Sequence, residues 1–271
     1  MKATRFIKYF SVLVLVLSSL EGCAEVPATS TSPGTRLSPG QMDRVGQRIW
    51  QNECGGTLAG LTSWNGGEGF ASLGIGHFIW YPQGYNDRFS ESFPPLMSFL
   101  EARGIATPAW ARGACPWPTK AAFDADRNGE RQKELRKILS NTVRQQTEFI
   151  IIRMEAALPK MLAQSKKPAR VQQAFEGLKQ TPEGTFCLID YVNFKGEGTS
   201  PTERYHNEGW GLLQVLEDMP QAKTTSQLPG EFAAAAKRVL SRRVENAPPD
   251  RREQRWLAGW HNRCDSYRRP L

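Results

Sequence analysis

Helical periodicity dominates this sequence and constrains its fold more than any other feature. Apolar residues recur at helical spacing over 130–158, where Pro159 is expected to end the helix. Shorter patterns of the same kind predict helices over 169–180, 183–193, 208–218, 230–245 and 250–260. A segment near the start of the domain, 61–80, departs from this period. We therefore expect a mostly helical α+β domain.

The departure from helical spacing follows directly after the first predicted helix. That helix is expected to run from Ser38-Pro39, a start signal, to about Glu53. Two runs rich in aromatic and branched residues follow, 61–64 and 70–80, and the turn-forming residues 65–67 separate them. This order is typical of a β-hairpin. The sequence thus predicts a small β-hairpin after the first helix of the domain.

The first 22 residues have the pattern of a cleavable signal peptide. A basic leader precedes an apolar core over 10–20 that is too short to cross a bilayer. Leu20-Glu21-Gly22-Cys23 then resembles a bacterial lipobox, in which the cysteine is acylated and becomes the new N-terminus. The resemblance implies lipidation at Cys23, with simple cleavage nearby as the alternative. Ala24 after the cysteine implies an outer-membrane lipoprotein that faces the periplasm.

Residues 23–38 are rich in Pro, Ser and Thr and predict a tether, which leaves 39–271 as the folded domain. The chain carries a formal net charge of +8. In the cell envelope such a surplus suits the cell wall or a membrane surface rather than nucleic acid. A soluble surface that is merely basic explains it equally well. Arg263 and the charges at 251–253 fit a solvated basic face.

Four cysteines remain if Cys23 is lipidated: Cys54, Cys115, Cys187 and Cys264. An even number in an oxidising compartment predicts two disulfides, with three possible connectivities. The wide spacing of the cysteines and the small number of histidines, three, argue against a zinc site. We expect neither a metal nor another cofactor.

Two glutamates suggest the chemistry. Glu53 shares the helical register of Val45 and Ile49, so it should turn inward at the last turn of the helix. Burial and the helix dipole would both favour its protonated form there. Glu68 lies in the glycine-rich turn, where it should be wetter and ionised. Two carboxyl groups in such different environments suit the acid and base of glycoside cleavage. The alternative for Glu53 is a helix-end glutamate paired with a local arginine, and the alternative for Glu68 is a solvated turn residue.

Several short motifs carry a family resemblance. A helix ending in glutamate, followed by a strand that reads Ser72-Leu73-Gly74-Ile75-Gly76-His77, resembles the lysozyme-like superfamily and within it the phage-type endolysins. Trp210-Gly211-Leu212-Leu213-Gln214-Val215 resembles a Gly-Leu-Met-Gln-type segment of lytic transglycosylases, and Asp190-Tyr191-Val192-Asn193 resembles their Tyr-Asn element. The aspartate that endolysins carry after the catalytic glutamate is not found, because Thr62 occupies its offset.

The resemblance implies a lysozyme-like fold and a cell-wall glycan-cleaving enzyme, a muramidase-like glycoside hydrolase that acts on peptidoglycan or another amino-sugar polysaccharide. Glu53 would be the general acid and Glu68 the base or electrostatic partner, while Asn193 and Gln214 would position the substrate. Two enzyme alternatives are a lytic transglycosylase, which uses one glutamate with help from the substrate's acetamido group, and a chitosanase-like hydrolase. A non-catalytic wall-binding lipoprotein and a protein-binding role are further alternatives.

Four further residues are candidate substrate contacts, and a fifth is a reserve for the second carboxylate. His77 and Ser72 lie on the second predicted strand. His77 could equally be a structural histidine held by hydrogen bonds, and Ser72 could be only a hydrogen-bond partner of the backbone. Tyr205 lies in a loop rich in Gly, Ser and Pro, where functional groups often collect. Trp210 could stack on a sugar ring, although core packing explains it as well. Glu197, in the same loop as Tyr205, is the reserve for the second carboxylate.

Overall fold

The structure of the protein is a computed structural model that describes residues 37–87, 89–221 and 224–271. The predicted signal peptide, Cys23 and most of the predicted tether lie outside these residues. The described part is an α+β protein and mostly helical, as predicted. Its elements, apart from four short 3-10 turns, are α1 (Pro39–Cys54), β1 (Thr62–Ser63), β2 (Ala71–Leu73), β3 (Phe78–Trp80), α2 (Phe93–Glu101), α3 (Lys120–Ala125), α4 (Glu130–Asn141), α5 (Val143–Gln164), α6 (Pro168–Leu178), α7 (Pro182–Lys195), β4 (Arg204–Tyr205), β5 (Glu208–Gly209), α8 (Leu212–Asp218), α9 (Leu228–Asn246) and α10 (Gln254–Ser266).

Helix α1 confirms its predicted bounds, and local chemistry explains both ends. At the start, Ser38 and Gln41 form a capping box: the Gln41 amide donates to Ser38 Oγ at 3.3 Å, and the Ser38 amide donates to Gln41 Oε1 at 2.7 Å. At the end, Gly55 adopts a φ of 63°, a conformation that costs glycine little. The buried face, with Val45 and Ile49, packs against α5 and α7.

The predicted hairpin is instead a three-stranded antiparallel meander. Ser72 of β2 pairs with Ser63 of β1 on one side and with Ile79 of β3 on the other. The single strand predicted over 70–80 was wrong, because a turn at 74–77 divides it. Gly74 and His77 have φ values of 68° and 47° in that turn, outside the range of a strand. His77 therefore lies in a turn and not in the strand predicted for it.

The long helix predicted over 130–158 is two helices, α4 and α5, and they meet at Thr142. The prediction that Pro159 ends the helix was also wrong, since α5 continues to Gln164. Proline removes one backbone donor, but the flanking residues Ala157 and Met161 are buried in the core, so tertiary packing stabilises the helix across it.

The later helices follow the predicted pattern, with two differences in position. The helix predicted over 250–260 is α10, which begins at Gln254 and continues to Ser266. Helix α8 begins at Leu212 rather than 208, because β4 and β5 form a small hairpin before it. His206 and Asn207 make the turn of that hairpin with positive φ values. The helices α2 and α3 were not predicted.

All four described cysteines are buried thiols, and no disulfide joins them within the described residues. The two predicted disulfides are therefore not formed. Cys54 lies instead against the Gly74 carbonyl at 3.4 Å and against His77. Cys115 pairs through its backbone with Pro82, just after β3. Cys187 lies in α7 and Cys264 lies in α10.

Within the described ranges, we find no helix with both the length and the apolar character that a membrane span requires.

Candidate active site

Glu53 lies in the last turn of α1, and its side chain is 7% exposed, so the predicted inward register is confirmed. It is not, however, an isolated buried acid. Arg263 of α10 donates from Nη2 to Glu53 Oε1 at 2.7 Å. The prediction that burial alone sets the environment of Glu53 was incomplete, because the Arg263 guanidinium lies against the carboxyl group. The arginine-paired alternative describes the site better.

Arg263 is itself held by a second carboxylate. It donates from Nε and Nη2 to the two oxygens of Asp190 in α7, both at 2.8 Å. Tyr267 donates to Asp190 Oδ2 at 2.7 Å and Asn52 donates to Oδ1 at 3.1 Å. Bidentate pairs of this kind fix the plane of the guanidinium. Glu53 is therefore oriented by α7 and α10 as well as by its own helix.

The protonation states of this network follow from its contacts. Burial raises the pKa of Asp190, but the charge of Arg263 and the hydrogen bonds from Arg263, Tyr267 and Asn52 outweigh burial, and the net shift is downward. Burial lowers the pKa of Arg263, yet Asp190 and Glu53 bring it above the ordinary value. The pair is thus a guanidinium and a carboxylate.

His77 contacts both Glu53 and Cys54. Its Nδ1 lies 3.9 Å from Glu53 Oε2, and its Nε2 lies 3.8 Å from Cys54 Sγ. Burial lowers the pKa of His77, with Glu53 opposing the shift in part. A neutral buried imidazole that joins the turn at 74–77 to the end of α1 has a structural task.

The two oxygens of Glu53 therefore differ. Among the described residues, Oε1 accepts the short hydrogen bond from Arg263, whereas Oε2 has the longer contact with His77. When one oxygen of a carboxyl group accepts a strong hydrogen bond, the other oxygen can donate or accept a proton in a reaction.

Glu68 lies in the turn between β1 and β2, where Asn65 donates to its Oε2 at 3.0 Å and Trp64 Nε1 donates to its backbone oxygen at 2.8 Å. Burial raises the pKa of Glu68, with the Asn65 hydrogen bond opposing. The turn is less wet than predicted, since Glu68 is half-buried, and the ionised state of Glu68 stays a prediction. Glu68 shares no described contact partner with Glu53.

The remaining predicted strand residue and the residue at the aspartate offset are both buried. Ser72 is in the middle of the meander, and its backbone oxygen accepts a hydrogen bond from Ser63 Oγ at 3.0 Å. Thr62 Oγ1 donates to Gln132 at 3.2 Å and accepts from Arg136 at 3.0 Å. Thr62 thus serves the packing of α4 against the meander.

Asn193 and Glu197 lie at the end of α7 and just beyond it. Asn193 is buried, and its Oδ1 has no hydrogen-bond partner among the described residues. Glu197 is buried near Lys160, whose Nζ is 3.8 Å away, and accepts from Thr199 at 3.3 Å. Burial raises the pKa of Glu197, while Lys160 lowers it in part.

Gln214 and Trp210 have structural contacts that account for them. Gln214 Oε1 accepts from the Gly211 amide at 2.9 Å, and its Nε2 donates to the Gly198 oxygen at 3.0 Å, so both ends of the amide are used. The Trp210 ring packs beside Tyr205, with ring centroids 4.7 Å apart. Tyr205 donates to Glu253 at 3.0 Å.

Sequence reasoning missed Asp190 as a network residue and misread Arg263 as solvated. A signal for Arg263 was present: Trp260, Arg263 and Tyr267 recur at three and four residues, which places them on one helix face. The described residues contain no group of histidine, cysteine and carboxylate side chains suited to a metal.

No model of a known protein family matches this chain. The search of curated proteins and the search of solved structures gave no match either.

Proposed function

We propose that the protein cleaves glycosidic bonds in an amino-sugar polysaccharide of the cell wall, peptidoglycan first, with Glu53 as general acid. The observation that carries the proposal is the asymmetric hold on Glu53: Oε1 is bound to Arg263, and Oε2 keeps a longer contact. The Gly74-Ile75-Gly76-His77 segment, which lies against the end of α1, supports it through the lysozyme-like resemblance. A lysozyme-like fold is part of the same proposal.

The chemistry assigns a distinct task to each group. Glu53 Oε2 donates a proton to the leaving oxygen of the glycosidic bond. The carboxylate that results is stabilised by Arg263, whose charge is already in place before the reaction. Asp190 holds Arg263 from the other side and offsets part of its charge. Proton transfer from Glu53 therefore needs no movement of charged side chains.

A one-acid route, as in a lytic transglycosylase, is the second candidate. It is favoured by a specific observation: Glu53 and Glu68 share no described contact partner, and buried Thr62 stands at the aspartate offset. In that route Glu53 protonates the leaving oxygen while the acetamido group of the substrate assists bond cleavage. The ionised Glu53 then removes the proton of the substrate hydroxyl group that bonds to the anomeric carbon and closes the anhydro ring. The role of Glu68 as second carboxylate stays a prediction.

Mass spectrometry of the products tests the proposal. Purified protein is incubated with peptidoglycan beside Glu53→Gln and a matched control, Glu130→Gln, whose side chain is 89% exposed. Reducing muropeptides that depend on Glu53 identify a hydrolase, and anhydro-muropeptides identify a transglycosylase. Equal activity of Glu53→Gln and parent would reject Glu53 as the acid. Wall binding without any product would favour a non-catalytic wall-binding lipoprotein.

The site of action is a separate proposal. We propose that the chain is exported and anchored to the outer membrane through lipid on Cys23, because the leader has the order expected of a lipoprotein signal. Cell fractionation of the parent and of Cys23→Ser tests it. The parent should sediment with membranes and the variant should not.

A further inference from the structure

A groove with a volume of about 880 Å³ lies beside the turn that carries Glu68. We call it the Glu68 groove. Its walls come from three segments: the β1–β2 turn, the chain after β3 and the loop before α3. The lining side chains that matter here are Trp64, Glu68, Gln83, Tyr85, Pro116 and Lys120. Glu53 is not on its wall.

The walls of the groove are tied together by backbone hydrogen bonds. The Cys115 amide donates to the Tyr81 oxygen at 2.9 Å, which joins the loop before α3 to the end of β3. The Tyr85 amide donates to the Pro82 oxygen at 3.1 Å and closes the turn between them. Because the walls of the groove are already fixed, the protein loses little conformational entropy when a ligand binds.

Tyr85 places an aromatic ring at the groove. A Cβ atom on Gly69 would overlap this ring, so the absence of a side chain at Gly69 lets the ring lie directly on the backbone. Tyr81 packs beside it, with ring centroids 5.7 Å apart. Tyr85 remains 45% exposed, although it is supported from beneath. An aromatic ring held in this way offers a flat apolar surface to a ligand.

Glu68 places a hydrogen-bond acceptor in the same groove. Its Oε2 accepts from Asn65, whereas Oε1 has no hydrogen-bond donor among the described residues. The carboxyl is half-buried, which makes a hydrogen bond from a ligand stronger than one in bulk water. Gln83 adds an amide that both donates and accepts.

The charges of the groove favour a neutral ligand. Glu68 and Lys120 are its charged lining residues, and Lys120 is paired with Asp124. A polyanion would meet Glu68, and a polycation would meet Lys120. A pyranose ring matches the arrangement, because its C–H face suits an aromatic ring and its hydroxyl groups donate at the rim.

We propose that the Glu68 groove binds neutral pyranose units of a glycan strand, with a sugar ring on Tyr85 and a hydroxyl group donating to Glu68 Oε1. The inference rests on the proposed glycan-cleaving function and identifies a substrate-binding site separate from the Glu53 carboxyl. Glu68 then contributes to substrate affinity rather than to proton transfer.

Isothermal titration calorimetry with the hexamer of N-acetylglucosamine tests the groove. The full-length parent is compared with Tyr85→Ala and Glu68→Gln, and with two exposed controls, Leu58→Ala and Glu130→Gln. Mass spectrometry checks whether the hexamer is recovered intact; Kd is used if it is, and KM if it is cleaved. We expect each groove variant to weaken affinity by about tenfold, and each control to stay within about twofold of the parent.

The outcomes separate this inference from the proposed function. Unchanged Kd or KM in both groove variants overturns the groove, even if Glu53-dependent cleavage is found. Groove-dependent binding without any cleavage supports the groove while the proposed enzymatic function fails. A fall in kcat with unchanged KM in Glu68→Gln overturns the inference in favour of a catalytic Glu68. Binding of a free wall peptide, but not of the hexamer, also overturns it.

Discussion

Arg263 donates from Nη2 to Oε1 of Glu53 at 2.7 Å, although 210 positions separate the two residues in the chain. The last helix of the protein therefore fixes a carboxyl group at the end of the first. Because the same guanidinium binds Asp190, three helices, α1, α7 and α10, meet at one buried charge cluster. The orientation of Glu53 depends on the whole domain being folded.

Replacing Arg263 should lower both the proposed activity and the stability of the fold, because Glu53 and Asp190 lose the guanidinium that they share. Arg263→Met keeps much of the side-chain volume but removes the hydrogen bond to Glu53 Oε1. We expect the rate of glycan cleavage to fall by about a hundredfold, because a small displacement of a catalytic group lowers the reaction rate on that scale. Arg263→Lys keeps the charge without the bidentate geometry and should fall in between. Initial rates of product release measure the effect, with thermal unfolding as the folding control. Full activity in Arg263→Met would contradict it.

Asp190→Asn should be strongly destabilising. The variant removes a buried carboxylate that neutralises Arg263, and loss of one partner from a buried pair costs about 3–5 kcal/mol of unfolding free energy. Urea unfolding at pH 7 measures this free energy. Asp43→Asn is the matched control, because Asp43 pairs with Arg144 at the surface, where little is lost. A loss in Asp190→Asn no larger than in the control would contradict the network.

The pH dependence of stability should carry a contribution from His77. Burial lowers the pKa of His77 in the folded state below the ordinary histidine value of 6.5. The unfolded chain therefore binds a proton more readily, so the contribution to stability is present above pH 6.5 and is lost as the pH falls below it. Unfolding midpoints measured between pH 8 and pH 5 should fall for the parent more than for His77→Asn.

The control for this experiment is His206→Asn. His77 and His206 both have positive φ values, 47° and 49°, which asparagine tolerates well, so the two substitutions cost similar backbone strain. His206 is exposed, and His206→Asn keeps His77, so the fall in unfolding midpoint should persist in this variant. Equal profiles for all three proteins would remove His77 as the group that titrates.

The parts of the fold that the sequence predicts are those with local causes. The bounds of α1 follow from a capping box and a glycine within a few residues of each end, and the inward turn of Glu53 follows from four-residue spacing. The division of 70–80 into β2 and β3 has a local cause as well. Gly74 and Gly76 indicate a turn at this point. The apolar residues on either side of them alternate as in one continuous strand, and this pattern hid the turn.

The charge cluster could not be predicted in the same way, because its contacts are distant in the chain. Nothing near Glu53 in the sequence indicates Arg263, and nothing near Arg263 indicates Asp190. Residue spacing shows which face of a helix is buried, but not which helix covers it. The surroundings of Glu53 and Glu68 were missed for this reason: Arg263, far along the chain, lies against the first, and the loop before α3 lines a groove together with the second.

Gln214→Ala tests whether the amide serves the fold or a substrate. Its two hydrogen bonds, to Gly211 and Gly198, hold the loop after α7 against the start of α8, and their loss should cost about 1–3 kcal/mol of unfolding free energy. Urea unfolding measures the loss, and Gln173→Ala, an exposed position in α6, is the control. A stable variant with weakened glycan binding would instead support the substrate role predicted from the sequence.

Two glycines of α1 should respond oppositely to the same substitution. A Cβ atom at Gly46 would overlap Thr147 Oγ1 and Val143 where α1 crosses α5, so Gly46→Ala should lose about 1–3 kcal/mol of unfolding free energy despite the better helix propensity of alanine. Gly40 has open space at the same point, and Gly40→Ala should gain a few tenths to about 1 kcal/mol. Urea unfolding of both variants measures the difference. If Gly46→Ala were as stable as Gly40→Ala, the close packing of α1 on α5 would be contradicted.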